Sequence, residues 1–383
     1  MPIKVLHVIT KLELGGAQQN TLYTLAHLDK NLFKTGLICG QGGVLDKEAP
    51  LAETLFLKEL IREINPVKDF LTLLKLYKIF KDEKPDIIHT HSSKAGILGR
   101  IAGFFARVPV IIHTFHGFGF HEKQNFIKRN LFVLLEKICA KLSNALIFVS
   151  KANIETAEKH KIGRQGIYRL IRSGIQLEKY GSFMTDRVHK RRELGITDNG
   201  KLIITVGNLK AQKNPSDFIN AAFQIARKKP EACFLFAGGG ETLEKLKQKA
   251  HQSGISENCI FTGWRKDIPE LLSASDIFML TSLWEGLPRS LVEALKTGLP
   301  CVCYETDGVK DLVKDGVNGF LIPMGNVAEM VRKIELLLID ESLRAKLAGG
   351  ARETNLSDFD INYMVRLQQK LYMELHQERG RRG

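Results

Sequence analysis

No stretch of this chain approaches the roughly 20 consecutive apolar residues that a bilayer-crossing helix needs. Met1 to Thr10 runs straight into a strand pattern, without the apolar core and cleavage site of a signal peptide, so a cytoplasmic protein is expected. Cysteine is scarce. Six residues (39, 139, 233, 259, 301 and 303) are scattered, several in apolar strand-like runs, which fits buried reduced thiols better than disulfides or metal ligands. No Gly-x-Gly-x-x-Gly follows the first strand of either half, which argues against a nicotinamide dehydrogenase. Gly195 to Lys201 has P-loop glycine spacing, but Leu202 replaces the Ser/Thr and the strand follows instead of preceding it. Asp358-Phe359-Asp360 has the Asp-x-Asp spacing of metal-dependent transferases, yet it opens a terminal helix, where capping is the expected job. The basic residues lack regularly interleaved aromatics, which argues against nucleic-acid binding.

What is present is a soluble-protein balance of 44% hydrophobic and 26% charged residues over 383 positions, long enough for two domains. The net charge of +14 is uneven: residues 1–190 hold 29 Lys/Arg against 17 Asp/Glu, and the remainder 27 against 25. A basic first half suggests an anionic partner, whether nucleic acid, a phospholipid surface or a phosphorylated substrate.

Short β-branched runs alternate with helical patterns, which predicts parallel sheets wrapped by helices. Strands are expected at 4–10, 35–40, 86–90, 109–115, 144–149 and 168–173, then at 201–207, 232–237, 259–262, 276–281, 300–304 and 319–322. Helices are expected at about 16–29, 67–83, 94–106, 123–142, 151–160, 215–228, 241–252, 290–298, 326–338 and 359–377. The polar stretch 176–200 reads as a linker. This yields two doubly wound domains, 1–185 and 186–358, followed by a helix in 359–383. In such sheets ligands sit beyond the carboxyl ends of the strands, so the residues there carry the chemistry.

After the first strand, Gly15-Gly16 opens a helix. The pair either admits an anion to free backbone N–H groups or is an ordinary tight turn. His89-Thr90-His91 with Ser92-Ser93-Lys94-Ala95-Gly96, and His113-Thr114-Phe115-His116-Gly117 reaching to His121, place imidazoles at two further strand ends. No carboxylate or thiolate completes a zinc spacing, so hydrogen bonding to substrate hydroxyls is the better reading, although some of these rings are only packed. The strongest signal is Glu285-Gly286-Leu287-Pro288-Arg289-Ser290-Leu291-Val292-Glu293. It breaks at Gly286-Leu287-Pro288 and opens a helix near Ser290. Two carboxylates then flank free amides around Ser290 and Leu291, a pattern suited to the hydroxyls and phosphates of a nucleotide sugar. The alternative is a helix cap plus a solvated glutamate. Lys213, after the first strand of the second half, can neutralise a leaving diphosphate. Gly239, in Gly238-Gly239-Gly240, leaves room for a flat base.

Taken in order, Gly15-Gly16-Ala17-Gln18, the His89/His91 segment with Lys94-Ala95-Gly96, Thr114-Phe115-His116-Gly117, Lys213, and Glu285 with Glu293 resemble the family-4 glycosyltransferases. The resemblance implies the GT-B fold: two Rossmann-like domains facing each other across a cleft, with a C-terminal helix crossing back to the first. It implies metal-independent, retaining hexosyl transfer from a UDP- or GDP-linked sugar, with no cofactor. His116, Lys213 and Glu285 resemble the catalytic positions. Gly15, Gly16, Asn208, Lys213, Gly239, Glu285, Gly286, Leu287, Arg289, Ser290, Leu291 and Glu293 fall on the donor side, and His91, Lys94 and His121 on the acceptor side. Asn208 stands where the family often has arginine, which leaves Arg289 as a candidate replacement, and Asp311 replaces a frequent glutamate. The expected acceptor is lipid-linked or saccharide, in bacterial surface-glycan synthesis. The basic helix 122–141, with Lys123, Lys128, Arg129, Lys137 and Lys141 around bulky apolar residues, suits an anionic membrane at the inner face of the cell, or else a core helix with a solvated basic face. Rival readings are a nucleotide-sugar 2-epimerase of the same fold and a non-catalytic nucleotide-sugar binder.

Overall fold

A computed structural model of the chain describes residues 1–120, 124–181, 186–197 and 199–381. The chain forms two compact units, one of Met1–Gly174 with Asp358–Gly383 and the other of Ile175–Ser357.

The first unit holds seven strands: β1 (Ile3–Lys11), β2 (Phe33–Gly40), β3 (Thr54–Leu57), β4 (Ile87–His91), β5 (Val110–Phe115), β6 (Ala145–Phe148) and β7 (Tyr168–Leu170). They lie in the order β3-β2-β1-β4-β5-β6-β7, and all pairs are parallel. Helices α1 (Gly16–His27), α2 (Pro66–Glu83), α3 (Ser93–Phe105), α4 (Phe126–Lys141) and α5 (Lys151–Lys159) connect them. Alternate strand residues feed two cores. Leu6, Val8, Ile88 and Ile111 pack with Leu76 and Phe80 of α2 and Ala95 and Ala102 of α3. Val5, Ile87, Val110 and Ile112 face the other way.

The second unit holds β8 (Lys201–Val206), β9 (Ala232–Ala237), β10 (Cys259–Gly263), β11 (Ile277–Leu280), β12 (Cys301–Tyr304) and β13 (Gly319–Ile322), in the order β10-β9-β8-β11-β12-β13. Its helices are α6 (Arg187–Glu193), α7 (Pro215–Ala226), α8 (Leu243–Gln252), α9 (Ile268–Ala274), α10 (Arg289–Thr297), α11 (Asp307–Lys310), α12 (Val327–Ile339) and α13 (Glu341–Arg352). The last helix, α14 (Ile361–Gly380), belongs to the first unit. There Ile361, Met364, Val365, Leu371 and Tyr372 complete the core behind Val5 and Ile112.

Several features differ from expectation, among them α9, α11 and α13, which are helices where none is expected. The units divide at 174/175 instead of 185/186, because Ser273 Oγ donates to the Gly181 carbonyl and Tyr180 bonds Glu293, tying that segment to the second unit. The stretch expected as a linker contains α6, capped by Asp186 and held by Arg187 and Arg191 on Asp276 and by Lys190 on Asp267. A short edge strand, β3, pairs with β2 where no strand is expected.

Each sheet reverses direction once. Strand order runs outward one way from β1 and the other way from β4. In the second unit the same break falls between β8 and β11. Adjacent loops part at such a break, which opens a crevice at the carboxyl ends of the two strands.

Candidate active site

In the second unit that crevice carries the sharpest chemistry. Past β8, Asn214 takes a left-handed conformation (φ 45°), which asparagine tolerates, and Pro215 starts α7 at its first turn. The bend turns Lys213 toward β11. Thr281 Oγ1 donates to the Lys213 and Asn214 carbonyls, and Gln212 Nε2 donates to the Trp284 carbonyl at 2.9 Å, so the two strand-end loops are laced together. Lys213 Nζ meets Glu285 Oε1 at 2.5 Å, with the lysine side chain 20% and the glutamate 7% exposed. A cation and a carboxylate thus share one buried spot at the break in strand order.

Pro288 precedes α10 in extended conformation, and no side chain caps the helix. One expectation is corrected here: Leu291 N–H is not free but donates to the Pro288 carbonyl at 3.0 Å, tightening the first turn. Ser290 and Glu293 are buried on this helix. Burial raises the Glu293 carboxyl above its usual range, while Arg289 and a hydrogen bond from Tyr180 oppose the shift. Arg289 therefore has a carboxylate to balance, which weakens its claim to replace the arginine missing at Asn208. Gly238 (φ 152°) could not be replaced: a Cβ there would lie 1.9 Å from the Gly207 carbonyl oxygen. This close approach of the β8 and β9 ends makes the floor beside Gly239.

In the first unit, α1 begins after Gly15, in extended conformation and without a side-chain cap. His91 ends β4 and His116 follows β5, with His91 Nδ1 3.2 Å from His116 Nε2. Gly117 (φ 142°) turns the chain immediately after His116. Lys94 is already engaged, by Asp69 at 2.6 Å and by the Glu63 carbonyl, so its charge anchors the loop before α2. Gly96 is required by packing, since a Cβ would lie 2.4 Å from the His113 ring. His121 lies outside the described residues.

Comparison with known proteins decides the family. Residues 14–179 match the family described as Glycosyltransferase Family 4, and 186–354 match Glycosyl transferases group 1. An Escherichia coli UDP-Gal:alpha-D-GlcNAc-diphosphoundecaprenol alpha-1,3-galactosyltransferase is 34% identical over 377 residues, covering 97% of each chain. The chain is a family-4 glycosyltransferase. A Campylobacter jejuni N,N'-diacetylbacillosaminyl-diphospho-undecaprenol alpha-1,3-N-acetylgalactosaminyltransferase is 28% identical across 81% of this chain and 82% of its own. The solved structure of Anabaena Alr3699/HepE in complex with UDP-glucose shares the fold, with TM-score 0.82, 22% identity and coverage of 97% and 99%.

Further residues of the transferase border the candidate site without being disclosed by its motifs. The half-exposed Trp264 follows β10 with its indole N–H edge 2.7 Å from where a Gly239 Cβ would stand. Tyr180 reaches Glu293 from the loop leaving the first unit. Ser282 Oγ and Thr306 Oγ1, buried after β11 and β12, have no hydrogen-bond partner among the described residues. These positions are invisible in the sequence because one tryptophan, one tyrosine or one hydroxyl has no spacing to stand out by.

Proposed function

We propose that this hexosyltransferase moves a sugar from a UDP-linked donor to a saccharide carried on a lipid diphosphate, with retention at the anomeric carbon. The Lys213–Glu285 pair at the β8/β11 break carries the reading, because it sets the two charges that a sugar diphosphate needs side by side. Glu285 would accept hydroxyls of the transferred ring, and Glu293 those of the ribose. Trp264 and the Gly238–Gly240 floor suit a flat base. As the diphosphate leaves, Lys213 and the uncapped start of α10 would take up its charge. His116 would hold a hydroxyl of the donor sugar, and the acceptor hydroxyl would attack from the face the diphosphate leaves, giving its proton to a phosphate oxygen. Support for the lipid diphosphate comes from the diphosphoundecaprenol acceptors named for the two relatives above.

The basic helix supports docking on anionic lipid. Within α4, Phe126 and Ile127 are 70% and 76% exposed, and Leu131, Leu134 and Ile138 continue the apolar face. Lys128, Arg129, Lys137 and Lys141 lie on the same helix. No helix among the described residues is long or apolar enough to cross a membrane.

Glu285→Ala and Lys213→Ala should each lower turnover by on the order of a hundredfold or more. Near-normal rates in both variants would remove these roles. Donor incubated without acceptor separates the 2-epimerase alternative, which would give an isomer of the nucleotide sugar. Thermal shift against UDP- and GDP-sugars reports the base.

A further inference from the structure

Lys213 is held in place by a bend that its own sequence does not favour. The ring of a proline drives the residue before it toward extended backbone, yet Asn214, immediately before Pro215, is left-handed at φ 45° and ψ 54°. Such a conformation persists only where neighbouring groups over-determine it. Lys213 depends on this bend. Its aliphatic chain passes over Gly207, where a Cβ would lie 3.3 Å from the lysine Cε, and its ammonium ends on Glu285. Were Asn214 to relax to extended backbone, the residue before it would be carried off that track.

The bend is gripped by both its backbone and its side chain. Thr281 ties the Lys213 and Asn214 carbonyls to the end of β11, and the Asp217 amide donates to the Asn214 carbonyl at 3.1 Å. Asn214 Nδ2 donates to Asp217 Oδ2 at 2.6 Å, and the same oxygen accepts the Tyr304 hydroxyl at 2.8 Å. Tyr304 is the last residue of β12, 1% exposed, and shares the core with Phe218 of α7. Burial and the carboxylate beside it push its phenol up, so it stays a donor. A rigid strand therefore pins the carboxylate that pins the bend.

An acidic residue in the first turn of a helix is ordinarily explained by capping or by the helix dipole. The capping aspartates of this chain, Asp186, Asp340 and Asp360, each accept a backbone N–H of the turn they begin. Among the described residues, the Asp217 carboxylate bonds two side chains instead, one of them on the residue after Lys213. We propose that Asp217 is a positioning residue for transfer: anchored by Tyr304, it keeps Asn214 left-handed and thereby fixes the Lys213 ammonium against Glu285, where the diphosphate leaves. The use of Lys213 on the diphosphate rests on the reading above. The dependence of its position on Asp217 does not.

The test compares variants of the full chain. Crystals of Asp217→Ala should show Asn214 released to extended backbone and Lys213 Nζ withdrawn from Glu285, with the rest of α7 in place. An unchanged Lys213–Glu285 pair would overturn the proposal. In calorimetry, Asp217→Ala should lose on the order of tenfold in affinity for UDP, while UMP, which lacks the second phosphate, binds as it does to the parent; kcat should fall on the order of tenfold as well. Asp217→Asn, whose carbonyl oxygen can accept the same two bonds, should recover most of that loss. If asparagine and alanine are equally impaired, the charge at the helix start is the cause and the positioning role is refuted. Tyr304→Phe removes the anchor alone and should lower the UDP-to-UMP affinity ratio about threefold. Should the alanine variant not fold, this one decides, and an unshifted ratio with Lys213 unmoved in its crystals refutes the idea. A Lys213→Ala protein that keeps the parent's preference for UDP would remove the diphosphate role of Lys213, and the crystal structures would still settle whether Asp217 positions it.

Discussion

Tyr180 donates its hydroxyl to Glu293, a carboxylate that burial pushes toward protonation. The phenol itself is driven upward by burial, so it stays a donor at every working pH. Removing that one oxygen should raise the Glu293 carboxyl further, because a bond to the charged form is lost. On the proposed role of Glu293 at the ribose, its neutral form would accept hydroxyls less well, so in Tyr180→Phe the acid limb of donor binding should move to higher pH, with affinity near pH 8 falling only about threefold. Titration calorimetry across pH checks this, and an unmoved limb would separate Tyr180 from donor binding. At the same scale, Glu285, Glu293 and Lys213 stand out as candidates in the sequence because two carboxylates eight positions apart and a lysine after a strand have a recognisable spacing, and the structure pairs Lys213 with Glu285. Tyr180, Trp264 and Tyr304 do not, since only the fold brings them to their partners. Spacing also misled on Leu291, whose amide is consumed within its own turn.

Among the elements, strands were the readable part. Continuous apolar runs such as Ile277 to Leu280 have one use in a sheet buried on both faces. β3 escaped because Thr54–Leu57 is short, lies at the edge and leaves Leu55 exposed. α6 escaped because Arg-Val-His-Lys-Arg-Arg-Glu has almost no apolar period; ion pairs, not a hydrophobic stripe, hold it. On α4, Ile127→Asp with Leu131→Asp should abolish binding to vesicles rich in anionic lipid at low salt, while leaving the melting temperature unchanged. Co-sedimentation measures it, and equal indifference of the parent protein to neutral and anionic vesicles would end the membrane assignment. For α14, deletion of residues 358–383 strips Ile361, Met364, Val365, Leu371 and Tyr372 from the core. At about 1.5–3 kcal/mol for each buried apolar side chain, the loss rivals the whole 5–15 kcal/mol of a typical domain. The truncated chain should be insoluble or unfolded in its first unit by circular dichroism.

For the molecule as a whole, the sign of the pH dependence follows from the buried rings. Burial holds His7 down at about 3, and pushes His89, His91 and His113 well below the ordinary 6.5. These bases are lowered on folding, so their contribution is fully present above 6.5 and is lost as pH falls from there toward the folded values. Melting temperature should therefore drop on acidification from about pH 7.5 to about 5, before most carboxylates titrate. A flat profile would mean that the rings are not neutral and sealed. The charge imbalance read from the sequence has no such simple fate, since Lys4, Lys75 and Lys94 are each spent on local carboxylates.

The chain leaves its first unit after Gly174 and rejoins it at Asp358. On the ribosome, the sheet begun first must wait for the last helix before its Val5–Ile112 face is covered, and at 5–20 residues per second that wait is on the order of ten seconds. The second unit, Ile175–Ser357, is one continuous segment and can close while the earlier one is still uncovered. The nascent protein thus matures in the reverse of its order of synthesis, with the face that α14 will cover bare throughout the interval.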